Sequence, residues 1–184
     1  YAFSLYKTYG PHLGLLYGKK EILNRLPNQN HEFLEGDVPY TLNPGGPNHE
    51  ELSCLVGVYE YFMNLFEHHY PGENPSIREK IHKVNELIAE HEKEIANPLL
   101  DYLTNRSDIK LIGKKTITDK DRAPTIAFTM NNKSSKELSS ELVKHGIATR
   151  NDNFYAWRCL MALDIDVDDG VVRTSMVHYN SLED

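Results

Sequence analysis

Ser4-Leu5-Tyr6-Lys7-Thr8-Tyr9-Gly10-Pro11-His12-Leu13-Gly14 is the stretch on which the reading of this chain turns. A lysine closes a short apolar run and is followed at once by a Gly-Pro turn. A lysine that reacts as an amine must lose its proton, so it belongs in a partly covered pocket beside a rigid neighbour that keeps it aimed. Ser4 and Tyr6 place a hydroxyl and a phenol beside it, both able to donate to an anion. On this segment alone, a solvated lysine at a strand edge is the commoner account of Lys7.

Working outward, residues 1–5 and 13–17 are apolar and aromatic runs on either side of Gly10-Pro11, which predicts two buried strands around a turn. Residues 24–48 are rich in Asn, Pro and Gly and end in Asn43-Pro44-Gly45-Gly46-Pro47-Asn48, which predicts a long irregular loop. Asn48 with Glu51 then marks a helix start, and Leu52, Leu55, Val56, Tyr59, Phe62, Met63 and Phe66 follow helical spacing toward His69. Ser76 with Glu79 repeats the capping pattern. It opens a longer helix whose stripe runs through Ile77, Ile81, Val84, Ile88, Ile95, Leu99 and Leu103, so Pro98 is expected to bend it rather than end it. Beyond it the pattern predicts strands at 109–112, 125–130, 147–150 and 171–176 and a capped helix over 135–145. The expected organisation is one segment over 1–75 and a second over 76–184, the second a small α/β unit reached by the long helix.

Composition removes several classes of function. The formal charge is -7, with 20 Lys and Arg against 27 Asp and Glu, and the basic residues form no cluster interleaved with aromatics. Nucleic acid is therefore not an expected partner. No apolar run is long enough to cross a bilayer, so no membrane role and a cytoplasmic location are expected. The two cysteines, Cys54 and Cys159, are too few for a disulfide framework or a paired-cysteine metal site. Cys159 is expected to be a small buried side chain.

The string Ser-x-Tyr-Lys-x-x-Gly-Pro-His-x-Gly-x-Leu-Tyr resembles the cofactor-lysine segment of class V, fold type I enzymes dependent on pyridoxal phosphate, the group that contains cysteine desulfurases and selenocysteine lyases. Further segments follow in that family's order. Gly45-Gly46-Pro47-Asn48 before a capped helix resembles its phosphate-reaching loop. Arg150-Asn151-Asp152-Asn153-Phe154-Tyr155-Ala156 stands where its substrate-side loop belongs. Arg173-Thr174-Ser175, with Tyr179-Asn180-Ser181 behind it, resembles its Arg-x-Ser and Tyr-Asn-Thr segment. The fold this implies is α/β: the tail of the large cofactor domain over 1–75, then the long linking helix and the small C-terminal domain. A chain that opens on Tyr1 in an apolar strand is accordingly expected to be the C-terminal portion of a longer enzyme and inactive by itself.

The resemblance also implies roles. Lys7 is the Schiff-base lysine and the catalytic residue; Ser4, Tyr6 and Gly46 join it in holding pyridoxal 5'-phosphate. Arg173 takes the carboxylate of an amino-acid substrate, a task suited to a planar guanidinium, and His12, Asn48 and Tyr155 line the substrate side. No metal is implied, and the implied assembly is a homodimer. Three departures bear on the reaction. The desulfurase thiol stands five residues after the arginine of the substrate-side loop, and that count from Arg150 gives Tyr155. Gly46 stands where related enzymes often carry Thr, and Tyr6 where desulfurases usually carry His. Desulfuration, transamination, epimerisation and elimination all stay open, as does a non-catalytic dimerisation or interaction module derived from the same fold. Two other patterns fail on context. Ser-x-x-Lys as a serine β-lactamase signature lacks its Ser-Asp-Asn and Lys-Thr-Gly partners. Asp164-x-Asp166-x-Asp168 has Asp169 and Ser175 where a calcium loop needs Gly and Glu.

Overall fold

The computed structural model describes residues 1–43 and 45–184; Pro44, inside the expected long loop, lies outside the described residues. The chain divides into two compact units, Tyr1–Val84 and Asn85–Asp184.

In the first unit, β1 (Ala2–Ser4) and β2 (Gly14–Leu16) pair antiparallel with Ala2 opposite Leu16 and Ser4 opposite Gly14. Both strands were expected to be buried. Only Leu5, just beyond β1, is buried, and β2 is exposed along its length. A two-stranded ribbon offers no second layer to cover its faces, which is why an apolar run here does not become core. Short helix α1 (Lys20–Leu23) follows, a piece too short to show helical periodicity. The loop behind it contains two single 3-10 turns, Glu32–Leu34 and Val38–Tyr40, and Asn30 Nδ2 donates across it to Tyr40 O at 3.0 Å.

The expected first long helix is two pieces, α2 (His49–Ser53) and α3 (Leu55–His69), meeting at Cys54. Asn48 caps α2 as its position suggested, Oδ1 accepting from Glu51 N at 3.0 Å. Phe66 of α3 is fully buried, an apolar burial that contributes about 2 kcal/mol. Lys80 lies over its ring face at 4.9 Å from the centroid.

Helix α4 (Ile77–Thr104) contains Pro98 and continues past it, in accord with the apolar stripe. Its first turn is held by Ser76, whose N–H donates to Glu79 Oε2 at 2.9 Å. The division between the two units falls within this helix, at Val84 and Asn85.

The second unit is built on a four-stranded sheet in the order β3-β4-β6-β5, antiparallel at every pairing. Its strands are β3 (Ile109–Ile112), β4 (Thr125–Met130), β5 (Arg150–Asp152) and β6 (Val171–Ser175); between them run α5 (Ser135–Lys144) and α6 (Trp157–Ala162). One face supplies the core: Ile126 and Phe128 from β4 and Val172 from β6 pack with Ala96, Leu100 and Leu103 of α4, and with Leu138 and Leu142 of α5 at the margin. Asn97 of α4 grips the backbone of Ile117 from both sides, donating to its O at 3.1 Å and accepting from its N at 2.8 Å.

Strand β5 begins at Arg150, three residues later than the apolar reading of 147–150 placed it. Pairing with β6 decides its position, and the paired residues are polar, so the apolar pattern pointed to the wrong register. Gly170, just before β6, has φ +70, and a Cβ there would stand 2.3 Å from the carbonyl carbon of Asp152. The β5–β6 approach therefore needs glycine at that point.

Candidate active site

Lys7 does not close a strand. It stands in a single 3-10 turn, Leu5–Thr8, that leaves β1 directly. The turn is tight because three donors share one carbonyl: the Tyr9 N–H reaches Leu5 O, and Thr8 Oγ1 and Gly10 N both reach it at 2.9 Å. A Cβ on Gly10 would lie 2.9 Å from that oxygen, so the turn closes only with glycine there. Tyr9 takes a left-handed conformation, φ 63, and its ring meets Tyr61 and Phe62 of α3 at 6.1 and 6.3 Å between centroids. The segment carrying Lys7 is thus fixed by backbone hydrogen bonds at its base and by aromatic packing on a helix.

Within this unit Lys7 is exposed rather than partly covered, because the turn projects from a ribbon with no layer above it. Its Nζ lies 5.7 Å from the centroid of Tyr6 and makes no ion pair among the described residues. Tyr6 stacks on His12, 5.1 Å between centroids and 26° between planes. Ser4 occupies the N-cap position of the turn, yet its hydroxyl makes no capping bond, which leaves it free to donate elsewhere. Lys7, Tyr6, His12 and Ser4 are therefore brought together by one turn and one ladder. Asn48 has spent its side-chain oxygen on the α2 cap and retains only its amide NH2 for a ligand. Gly46 is exposed just after a bend at Gly45, and a Cβ there would meet no atom within 4 Å, so packing does not demand glycine at that position.

In the second unit Arg173 sits in the middle of β6, paired with Ala127 on one side and Arg150 on the other. It is half-buried. Its guanidinium carbon lies 4.0 Å from the centroid of Phe154, a stacked cation–π contact. Its Nε is buried and has no hydrogen-bond partner, and it makes no ion pair with the acidic residues that follow α6. A covered Nε–H without an acceptor is costly, and the other guanidinium N–H groups are donors with no carboxylate partner among the described residues.

Phe154 and Tyr155 are both left-handed, φ 51 and 60, in the turn between β5 and α6. The turn is held by Asn153, whose Oδ1 accepts from Tyr155 N at 3.1 Å while its Nδ2 donates to Val167 O at 3.3 Å. It sends the Phe154 ring onto Arg173 and leaves Tyr155 fully exposed at 104%. Cys159 was expected to be buried; it is exposed on α6, because the helix is short and turns only Leu160 into the core. The role of Phe154 was not legible in the sequence. The signal lies in the strand register, which places the end of β5 beside the middle of β6.

Asp169 fixes the loop that enters β6. Both its carboxylate oxygens accept from Ser135 N, at 2.9 and 3.0 Å, and its backbone carbonyl accepts from Ser135 Oγ. A carboxylate at the first residue of α5 also faces the positive end of the helix dipole.

Residues 79–184 match the family model "Aminotransferase class-V". The chain is 36% identical to the aminotransferase-like protein FGM3 of Gibberella zeae, with all of this chain and 42% of that protein covered. It is 25% identical to the cysteine desulfurase-like protein ustD of Aspergillus flavus, covering 39% of it. Among solved structures, the cysteine desulfurase CsdA of Escherichia coli matches across the whole chain with a TM-score of 0.69 at 23% identity, covering 42% of that chain. This likeness is one of fold. The chain thus spans about two fifths of the length of the proteins it matches, in the arrangement of the C-terminal part of a fold type I enzyme.

Proposed function

Because this chain belongs to the class-V aminotransferase family, we propose that it is the portion of a pyridoxal-phosphate enzyme that supplies the cofactor lysine and the substrate-carboxylate arginine for a reaction on an amino acid. The observation that carries the proposal is Arg173: a half-buried guanidinium, stacked on Phe154, with a covered Nε and no carboxylate of its own.

The donors near Lys7 suit the cofactor. An exposed amine with no ion pair can attach an aldehyde, while the uncapped Ser4 hydroxyl and the exposed Tyr6 phenol suit a phosphate, with the Gly46 backbone as a further donor. Bound, pyridoxal phosphate supplies an electron sink next to the amino-acid α-carbon. Lys7 Nζ would hold the cofactor and, as a free amine, would serve as the base that moves the α-proton. Arg173 orients the substrate through its carboxylate. His12, behind Tyr6, and the Asn48 amide stand at the edge of the substrate side, and Tyr155 occupies the exposed turn next to Phe154. Since that turn carries a phenol where desulfurases carry a thiol, the reaction proposed is one that needs no persulfide at this position. The exposed thiol of Cys159 stands four residues further on, on α6.

The working unit proposed is a homodimer of the whole protein in the cytoplasm. Among the described residues, no helix is long and apolar enough to cross a membrane. The test is made on the full-length protein. With added cofactor it is expected to absorb near about 400 nm, as a protonated pyridoxal imine does. Borohydride reduction should leave the label on the peptide containing Lys7, and Lys7→Ala should abolish both signals. A full-length protein that stays colourless, or carries the label on a different lysine, overturns the proposal; the colourless outcome favours a non-catalytic module of the same fold.

A further inference from the structure

The β5–β6 ladder sets Arg150 directly opposite Arg173. Residues opposite one another in an antiparallel pair project from the same face with Cβ atoms about 5 Å apart, and like charges so placed repel. Sequences ordinarily relieve such a pair with a carboxylate. Here none does: among the described residues, neither arginine has an ion pair or a side-chain hydrogen bond. Asp152, the next residue on that face of β5, directs Oδ1 to Asn153 N at 2.7 Å instead. On the other side of Arg173 the row continues into Ala127, which carries no charge. The opposite face of the sheet, with Phe128 and Val172, is the one that packs the core.

We propose that Arg150 and Arg173 together form a two-pronged receptor for an α-amino acid carrying a second acidic group on its side chain. The inference rests on the reading of Arg173 as the α-carboxylate residue and adds the substrate class. The division of labour follows from mobility. Arg173 is half-buried and clamped by Phe154, which suits the carboxylate that every amino acid carries in the same place. Arg150 is exposed on the edge strand β5 and unclamped, which suits a group whose reach varies with the side chain. An amino acid with a neutral side chain neutralises one of the two charges and leaves the repulsion across the ladder in place; a dianionic one neutralises both through charge-assisted hydrogen bonds.

The test uses the full-length, cofactor-loaded protein and calorimetric titration with L-aspartate, L-asparagine, L-glutamate and L-glutamine. At least one acid is expected to bind about tenfold more tightly than its amide, the scale of one charge-assisted contact. Arg150→Gln should bring that ratio close to one, and Arg150→Lys should restore part of it. Arg150 is exposed, so neither substitution empties a packed position. Arg173→Gln should weaken acids and amides alike. Equal binding of acids and amides by the unaltered protein, or a ratio unmoved by Arg150→Gln, overturns the inference while leaving the Arg173 reading intact. Binding that is insensitive to Arg173→Gln overturns the earlier reading and this one with it. If Arg150→Gln instead releases cofactor on dialysis, Arg150 grips the cofactor phosphate, and that outcome also overturns the inference.

Discussion

Replacing Phe154 by leucine tests whether the stack on Arg173 holds the site together. Leucine is also free of β-branching, so the left-handed backbone at this residue is no worse accommodated than with phenylalanine. What is lost is the ring face at 4.0 Å from the guanidinium carbon. A cation–π contact with a partly desolvated guanidinium contributes about 1 kcal/mol. The apolar area a ring covers beyond leucine adds about 0.5 kcal/mol. The unfolding free energy of full-length Phe154→Leu should therefore fall by about 1–2 kcal/mol. Arg173 then gains rotameric freedom that binding must remove again, and affinity for L-aspartate should fall between about threefold and tenfold. Phe154→Tyr keeps the ring face and should stay close to the parent protein on both measures. Urea unfolding and calorimetric titration of the three proteins decide it. If leucine matches phenylalanine in midpoint and affinity, the stack neither stabilises the turn nor orients the arginine, and the reasoning fails.

Asp169→Ala removes a carboxylate that accepts from the buried Ser135 N–H, leaving that donor unsatisfied at the start of α5, and should cost about 1–3 kcal/mol in urea unfolding; an unchanged midpoint would show that the loop entering β6 does not depend on this tie. The two capping boxes give the pH dependence. Hydrogen bonds from the Ser134 backbone and hydroxyl hold Glu137 below the ordinary glutamate range, and the Ser76 hydroxyl and backbone do the same for Glu79. A folded pKa below the unfolded one means that the contribution is fully present above the unfolded value and is lost as pH falls through the folded value. The starts of α5 and α4 should loosen together in acid, visible as loss of amide-exchange protection at those turns, and Glu137→Gln, which removes the titrating carboxyl, should remove the acid dependence from α5 alone. Protection at α5 that is independent of pH in the parent protein would refute the capping account.

Much of the secondary structure was legible because it is written in local chemistry. Asn48, Ser76 and Ser134 cap helices with a side-chain oxygen that accepts from the backbone N–H of the glutamate three residues on. The stripe of α4 survives Pro98 because a 28-residue amphipathic helix has enough packed length on both sides to absorb one missing hydrogen bond. The strands at 109–112, 125–130 and 171–175 carry apolar residues that enter the core. Strand β5 was misplaced for the converse reason: its residues are polar, and only β6 determines where it pairs. The ribbon at the chain start was expected to be buried because apolar side chains usually are, and it is exposed because this unit provides no layer above it.

The candidate site divides in the same way. The sequence alone marked Lys7, Arg173 and the family order that joins them, and it marked Tyr155 in the thiol's position, since identity and spacing along the chain suffice for each. Only the tertiary structure set Arg150 opposite Arg173, brought Phe154 onto the guanidinium, exposed Cys159 and left a buried Nε without a partner. Those relations depend on strand register and backbone handedness. Both are fixed by contacts between residues far apart in sequence, and no local pattern of side chains contains them.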